Sequence, residues 1–550
     1  MRMKSMASLL AAGMGLLGAC NQPAKSGDNQ DGLAAFSKDS LAAHIKTLSA
    51  DDFQGRKPFT PGETKTINYL AAAFQQAGLE PGNGNSYWQD VPMVMITTQA
   101  APSMQVKAGS RQFALTGFDD YVLWTDKTDT SISLNDVDVV FAGYGVVAPE
   151  YNWNDYAGLD VKGKIVLVLV NDPGFNAGDS TLFKGRTMTY YGRWTYKFEE
   201  AARQGARGCL IIHNTEAASY PFSVVQNNWN TSRLRLDNRG KKETLCDITG
   251  WISSPAAHRL LQAAGTDSSV LAKADQRGFK GMALPLKLST TLKAKPVYNM
   301  SHNVIGKITG TKRPEETIIY TAHWDHLGIG KPDETGDSIY NGALDNASGT
   351  AGLLEIARAF KSLKTAPERT IVLLAVTAEE QGLQGSAWYA QNPVFPARST
   401  VADINMDGLN YYGATKDLVV VGKGQNELED LLKEEMDKVN RVIDFEPHPE
   451  AGYYYRSDHF NFAKAGIPAL YVENGVDVIG KGAAYGKKIA DEYTAKHYHA
   501  PSDQFDPSWD FSGAIADLQL LFNVGKRLAF STDFPAWKEG SEFKALRKKE

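Results

Sequence analysis

Four short, mostly apolar runs constrain this chain most: 317–321, 371–376, 401–406 (with Asp403 and Asn405 inside it) and 467–472. Helical stretches lie between and after them. Leu353, Leu354, Ala357 and Phe360 form one apolar stripe, and 427–439 and 513–528 read as two further helices. A strand without polar alternation has both faces covered, which an antiparallel sheet open to water on one side does not allow. The alternation therefore predicts an α/β fold with a mostly parallel central sheet flanked by helices. In such sheets functional groups gather at the carboxyl ends of the strands.

The residues at those ends are distinctive. His323 and Asp325 follow the first run, Glu379 and Glu380 the second, and Asp407 the third. Asp345 stands where a helix opens, and His499 lies far downstream. Singly each is weak. An Asp before a helix is ordinarily an N-cap, a lone His at a strand end is usually just hydrogen-bonded, and Glu379-Glu380 alone reads as a solvated helix start. Together they crowd carboxylates at one rim, which is costly unless positive charge is near. Divalent cations accept this mixture of imidazole and carboxylate. A carboxylate bridging two ions about 3.5–4 Å apart is the expected two-metal arrangement. The bridging water is then acidified towards hydroxide, and an unligated carboxylate can carry its proton to a leaving amine.

At this point the residues resemble the co-catalytic zinc exopeptidases, the family of bacterial leucyl aminopeptidases and glutamate carboxypeptidase. The likeness rests on His323-Trp324-Asp325, on 342–349, on Glu379-Glu380-Gln381-Gly382-Leu383-Gln384-Gly385-Ser386, on Asn405-Met406-Asp407 and on 498–503. It spans about 300–530. It implies two zinc ions (Zn2+) per chain: His323 and Asp407 on one, Glu380 and His499 on the other, Asp345 bridging both. It implies Glu379 as general base, Asp325 as the carboxylate that orients His323, Tyr498 as a contributor to oxyanion binding, and a cis bond between Asp345 and Asn346. His326 and His497 are alternatives to their neighbours as ligands. Ser457-Asp458-His459 and Tyr453-Tyr454-Tyr455 are expected to shape a substrate pocket. The implied activity is an aminopeptidase acting on peptides. A glutamate-type carboxypeptidase, a one-zinc glutaminyl cyclase and an inactive receptor of the same fold are the alternatives.

The rest of the chain is read around this core. Residues 1–20 carry Arg2 and Lys4, a short apolar run, and Leu17-Gly18-Ala19-Cys20, which resembles a bacterial lipobox. This predicts a lipoprotein of a bacterial cell envelope facing the periplasm, held to the membrane through Cys20, or otherwise a secreted protein. Residues 21–32 read as a polar tether and 33–135 as the N-terminal part of the peptidase domain. There Leu41, Ile45 and Leu48 share one helical face. Residues 136–286 are strand-rich and resemble a protease-associated domain, through Phe141-Ala142-Gly143-Tyr144-Gly145, 160–166 and 201–214; no chemistry is assigned to them. Residues 287–535 complete the catalytic core, and 536–550 read as a charged tail. A net charge of −5 gives no basic footprint for nucleic acid. Besides Cys20 the chain has Cys209 and Cys246, too few for a thiolate metal cluster; they read as unpaired. The preferred side chain and the oligomeric state stay open.

Overall fold

The strands Arg369–Val376, Arg313–His323, Thr400–Met406 and Ala469–Glu473 lie side by side in that order, all parallel. Every residue of Arg369–Val376 and Thr400–Met406 is buried, the polar Asp403 and Asn405 included. The protein is described by a computed structural model over residues 31–240 and 243–547. The apolar leader and Cys20 fall outside the described residues. Among the described residues no helix is long and apolar enough to cross a membrane.

Antiparallel strands flank the parallel four. The end of the long strand Met282–Ile308 pairs with Arg369–Val376, and Asp417–Val420 pairs with Ala469–Glu473. Val442–Phe445 adds a last strand parallel to Asp417–Val420. The register aligns the carboxyl ends: His323 stands beside Val376, and Met406 beside Val472. Residues that leave these strands therefore emerge at one rim.

Side chains alternate between the two faces. On one, Ile318 and Tyr320 pack with Leu353, Ile356 and Phe360 of the helix Gly349–Lys361, and with Leu518, Leu521 and Phe522 of Ser512–Ala529. Leu41, Ile45 and Leu48 of Lys38–Leu48 join that core. On the other face, Ile319, Val372 and Leu374 pack with Tyr389 and Phe462. Burying each such side chain contributes roughly 1.5–3 kcal/mol, so the rim rests on a rigid platform.

A strand-rich unit has its own core. Ser131–Phe141, Ile165–Leu169, Gly208–Ile212 and Ile248–Ile252 are parallel neighbours, and Tyr121–Trp124 closes them antiparallel. This packing reaches further back than the boundary read at residue 136. Val94, Met104, Leu115 and Tyr121 share one apolar cluster with Val139, Ile165 and Leu210. The physical link is the ladder between Trp88–Ala100 and Met282–Ile308, which pairs Leu292 with Ala100 and runs to Val304 with Trp88. The reading of 536–550 as a charged tail is also corrected over its described part. Trp537 and Phe543 are buried against Tyr454, Tyr455 and Phe460, and Glu542 accepts the Tyr455 hydroxyl at 2.6 Å. Two aromatic anchors outweigh the charges around them.

Candidate metal centre

Each rim residue is placed by its element. His323 ends its strand, Asp407 directly follows Thr400–Met406, and Glu379 and Glu380 lie in the turn beyond Val376. Asp345 sits in the turn Ala343–Ser348 ahead of Gly349–Lys361, and the Asp345–Asn346 peptide is cis. That turn is tied down. The backbone N–H groups of Leu344 and Asp345 donate to the Asp503 carboxylate at 3.0 and 3.1 Å. Asn346 donates from Nδ2 to the Met406 carbonyl at 3.0 Å, and its Oδ1 accepts from Gly349 at 2.8 Å.

The side chains converge in two groups that share Asp345. His323 Nε2 lies 3.1 Å from Asp407 Oδ1 and 3.3 Å from Asp345 Oδ1. His499 Nε2 lies 3.1 Å from Asp345 Oδ2 and 3.1 Å from Glu380 Oε2. Each Asp345 oxygen thus faces a different imidazole. His326 joins the second group as an addition to His499: it is fully buried, with Nδ1 2.6 Å from Glu380 Oε1 and 4.0 Å from Asp345 Oδ2. His497 stays outside, with Nδ1 3.0 Å from the Ser502 hydroxyl.

The donor set fits divalent cations. One oxygen or ring nitrogen each from His323, Asp345 and Asp407 lie within 4.8 Å of one another, as do those from His326, Asp345 and Glu380. His326 Nε2 is buried without a hydrogen-bond partner among the described residues. Buried polar atoms in native proteins are rarely left so. Imidazole with carboxylate is the chemistry zinc accepts.

Charge is unevenly distributed. Burial disfavours the Asp345 carboxylate, but hydrogen bonds to His323 and His499 outweigh it and hold its pKa well below the ordinary value. Burial drives the Glu379 carboxyl well above its ordinary range, His323 opposing and Asp407 and Glu380 adding to the rise. At Glu380, burial and Asp345 push the same way, yet His499 and His326 prevail and bring it to about 2. Adjacent carboxyls driven apart suit two tasks, one holding a cation and one handling a proton.

Asp325 touches both His323 and Glu379. His323 Nδ1 lies 3.1 Å from the Asp325 carbonyl. The Asp325 carboxylate, fully buried, accepts the backbone N–H of Glu379 at 3.0 Å, and is 3.8 Å from His323 Nδ1. Ser457 has a place that its motif does not announce. Its hydroxyl donates to Asp407 Oδ2, while Asn405 Nδ2 donates to Ser457 at 2.8 Å. Tyr498 is about half exposed and stacks on His499 with ring centroids 3.9 Å apart.

Residues 303–522 match the model of Peptidase family M28. A protein of Arthroderma benhamiae named "Probable glutamate carboxypeptidase" is 30% identical over 275 residues, 46% of this chain and 34% of that protein. Carboxypeptidase Q of Xenopus laevis is 27% identical over 42% of this chain and 39% of its own length. A protein of Leptosphaeria maculans named "Probable zinc metalloprotease" is 41% identical over 88 residues, 16% of this chain and 20% of that protein. The chain thus spans well under half of these relatives. Among solved structures, an aminopeptidase from Aneurinibacillus sp. strain AM-1 covers 92% of this chain and 97% of its own, with a TM-score of 0.51 and 20% identity; the two share a fold. The relatives also overturn one expectation. They are proteins of fungi, a frog and cattle, which conflicts with a lipoprotein of a bacterial cell envelope, and that localisation does not stand.

Proposed function

Starting from the membership of residues 303–522 in peptidase family M28, we propose that this chain is a two-zinc aminopeptidase. The observation that carries the reading is Asp345, whose two oxygens each face a different histidine–carboxylate group. His323 and Asp407 would hold one ion, Glu380 and His499 the other, with Asp345 shared.

When bound, such ions polarise a scissile carbonyl and make an attacking water more acidic. The remaining work falls to this chain's own groups. Glu379, whose burial raises its affinity for a proton, takes one at its carboxylate and delivers it to the leaving amine. Its Oε2 lies 3.9 Å from His323 Nε2, beside the first group. Asp325 fixes the Glu379 backbone. Tyr498, stacked on His499 at the open side of the centre, donates its hydroxyl to the developing oxyanion.

Removal of terminal residues also suits the strand-rich unit. Met188 and Tyr190 pack with Tyr455 and Phe460, and the Tyr190 and Phe460 rings lie 5.3 Å apart. That contact is on the segment that carries Ser457, so the unit borders the rim and limits how much peptide enters. The names of the relatives from Arthroderma benhamiae and Xenopus laevis favour a second reading, a carboxypeptidase.

A panel of amino-acid anilides, N-blocked peptides and C-amidated peptides, assayed with and without a chelator, separates the two. Chelator-sensitive cleavage that requires a free N-terminus supports the aminopeptidase. Cleavage of N-blocked peptides with a free C-terminus would replace it with the carboxypeptidase.

A further inference from the structure

Arg56 ends the short segment Asp51–Arg56 and is 1% exposed. Its guanidinium spends its donors on four backbone carbonyls. Nε donates to Trp324 at 2.8 Å, Nη1 to Leu48 at 2.9 Å and to Asn341 at 2.5 Å, and Nη2 to Gly342 at 2.8 Å. Trp324 directly follows His323, and Asn341 and Gly342 lead into the turn that carries Asp345. One planar fork therefore ties the strand end bearing a residue of the first group to the turn bearing the shared carboxylate. Leu48 anchors both to the helix Lys38–Leu48.

The local backbone is shaped for this contact. Arg56 adopts a left-handed φ of 49°, a conformation that is strained for a non-glycine residue. A Cβ at Gly55 would stand 2.4 Å from the Tyr340 carbonyl oxygen, so only glycine allows the approach. Among the described residues no carboxylate forms an ion pair with Arg56. The charges of Asp503, Asp345, Asp325 and Glu380 balance it from further away. A buried cation without a direct partner is costly, and here it faces the residues that build the centre.

We infer that Arg56 is a positioning residue that sets the separation of His323 and Asp345 and so assembles the centre before any cation arrives. The inference rests on the two-metal reading above. A lysine keeps the charge, and with it the repulsion towards a bound cation, but its three donors on a flexible stem cannot reproduce the fork. Arg56→Lys therefore isolates the clamp from the charge.

The test uses full-length protein stripped of metal, with zinc affinity read by competition with a chromophoric chelator and the fold checked by circular dichroism. Arg56→Lys is expected to stay folded and to bind zinc about tenfold or more weakly, as other residues that orient ligands do. Its kcat should fall with KM unchanged. Arg56→Ala should bind zinc more weakly still and recover part of the loss when guanidinium ions are added. Wild-type zinc affinity in Arg56→Lys would overturn the inference, as would a folded Arg56→Ala that guanidinium leaves unchanged. If Arg56→Ala does not fold, the lysine variant alone decides. Wild-type protein that takes up no zinc would sink the metal reading itself, a result distinct from the other two.

Discussion

The Ser457 hydroxyl donates to Asp407 Oδ2 at 2.7 Å, which leaves Asp407 Oδ1 turned to His323 Nε2 at 3.1 Å. Asn405 steadies Ser457, and Thr321 Oγ1 donates to Asn405 Oδ1 at 2.9 Å. The carboxylate is therefore held in one orientation by a chain that starts inside the sheet. Ser457→Ala should keep the fold and weaken zinc binding by about 10–100-fold. A zinc titration of the stripped variant checks this, and unchanged affinity would mean that Asp407 needs no such support.

Glu379 and Glu380 are neighbours with opposite tasks in this account. Glu379→Gln preserves volume but cannot accept a proton. Zinc content should stay at the wild-type level while kcat falls by about 10²–10⁴-fold. Atomic absorption and steady-state kinetics on one preparation read both quantities. Loss of metal together with activity would reassign Glu379 from proton carrier to ligand.

His459 supplies a pH dependence away from the centre. It is fully buried between Tyr454 and Tyr471, with ring centroids 4.7 and 4.8 Å away. Burial lowers its pKa from 6.5 to about 3. Between those values the unfolded chain binds a proton that the folded chain refuses. The stability contributed by the neutral ring is therefore complete above pH 6.5 and is lost as pH falls towards 3. Each pH unit in that window costs about 1.4 kcal/mol at most. His459→Gln should flatten the fall in stability between pH 6 and 4, measured by urea unfolding. An unchanged slope would show that other groups carry it.

The catalytic sheet was legible because burial on both faces leaves a local mark. The run 371–376 needs no partner to be read as a strand, and the residues beyond it and beyond 401–406 declare the rim. What stayed hidden depends on distant or featureless contacts. Trp88–Ala100 alternates only partly, and its ladder partner Met282–Ile308 lies far along the chain, so the strand-rich unit was drawn too short. A serine hydroxyl on a carboxylate carries no pattern, which is why Ser457 was read as a pocket residue. His326 was weighed as a substitute for a neighbouring ligand, because sequence does not tell whether two nearby imidazoles can approach one carboxylate together. The Asp325 carbonyl, 3.1 Å from His323 Nδ1, is a main-chain contact on which side-chain identity is silent. Trp537 and Phe543 were masked by the charges around them.

The proposed function requires Asp345 to join two metal sites. Zinc per chain, measured by mass spectrometry after exhaustive dialysis, tests it most directly in wild type and Asp345→Ala. Two equivalents are expected in the wild type, and loss of bound zinc from both groups in the variant, with activity lost alongside. One equivalent in the wild type, or two retained in Asp345→Ala, would contradict it.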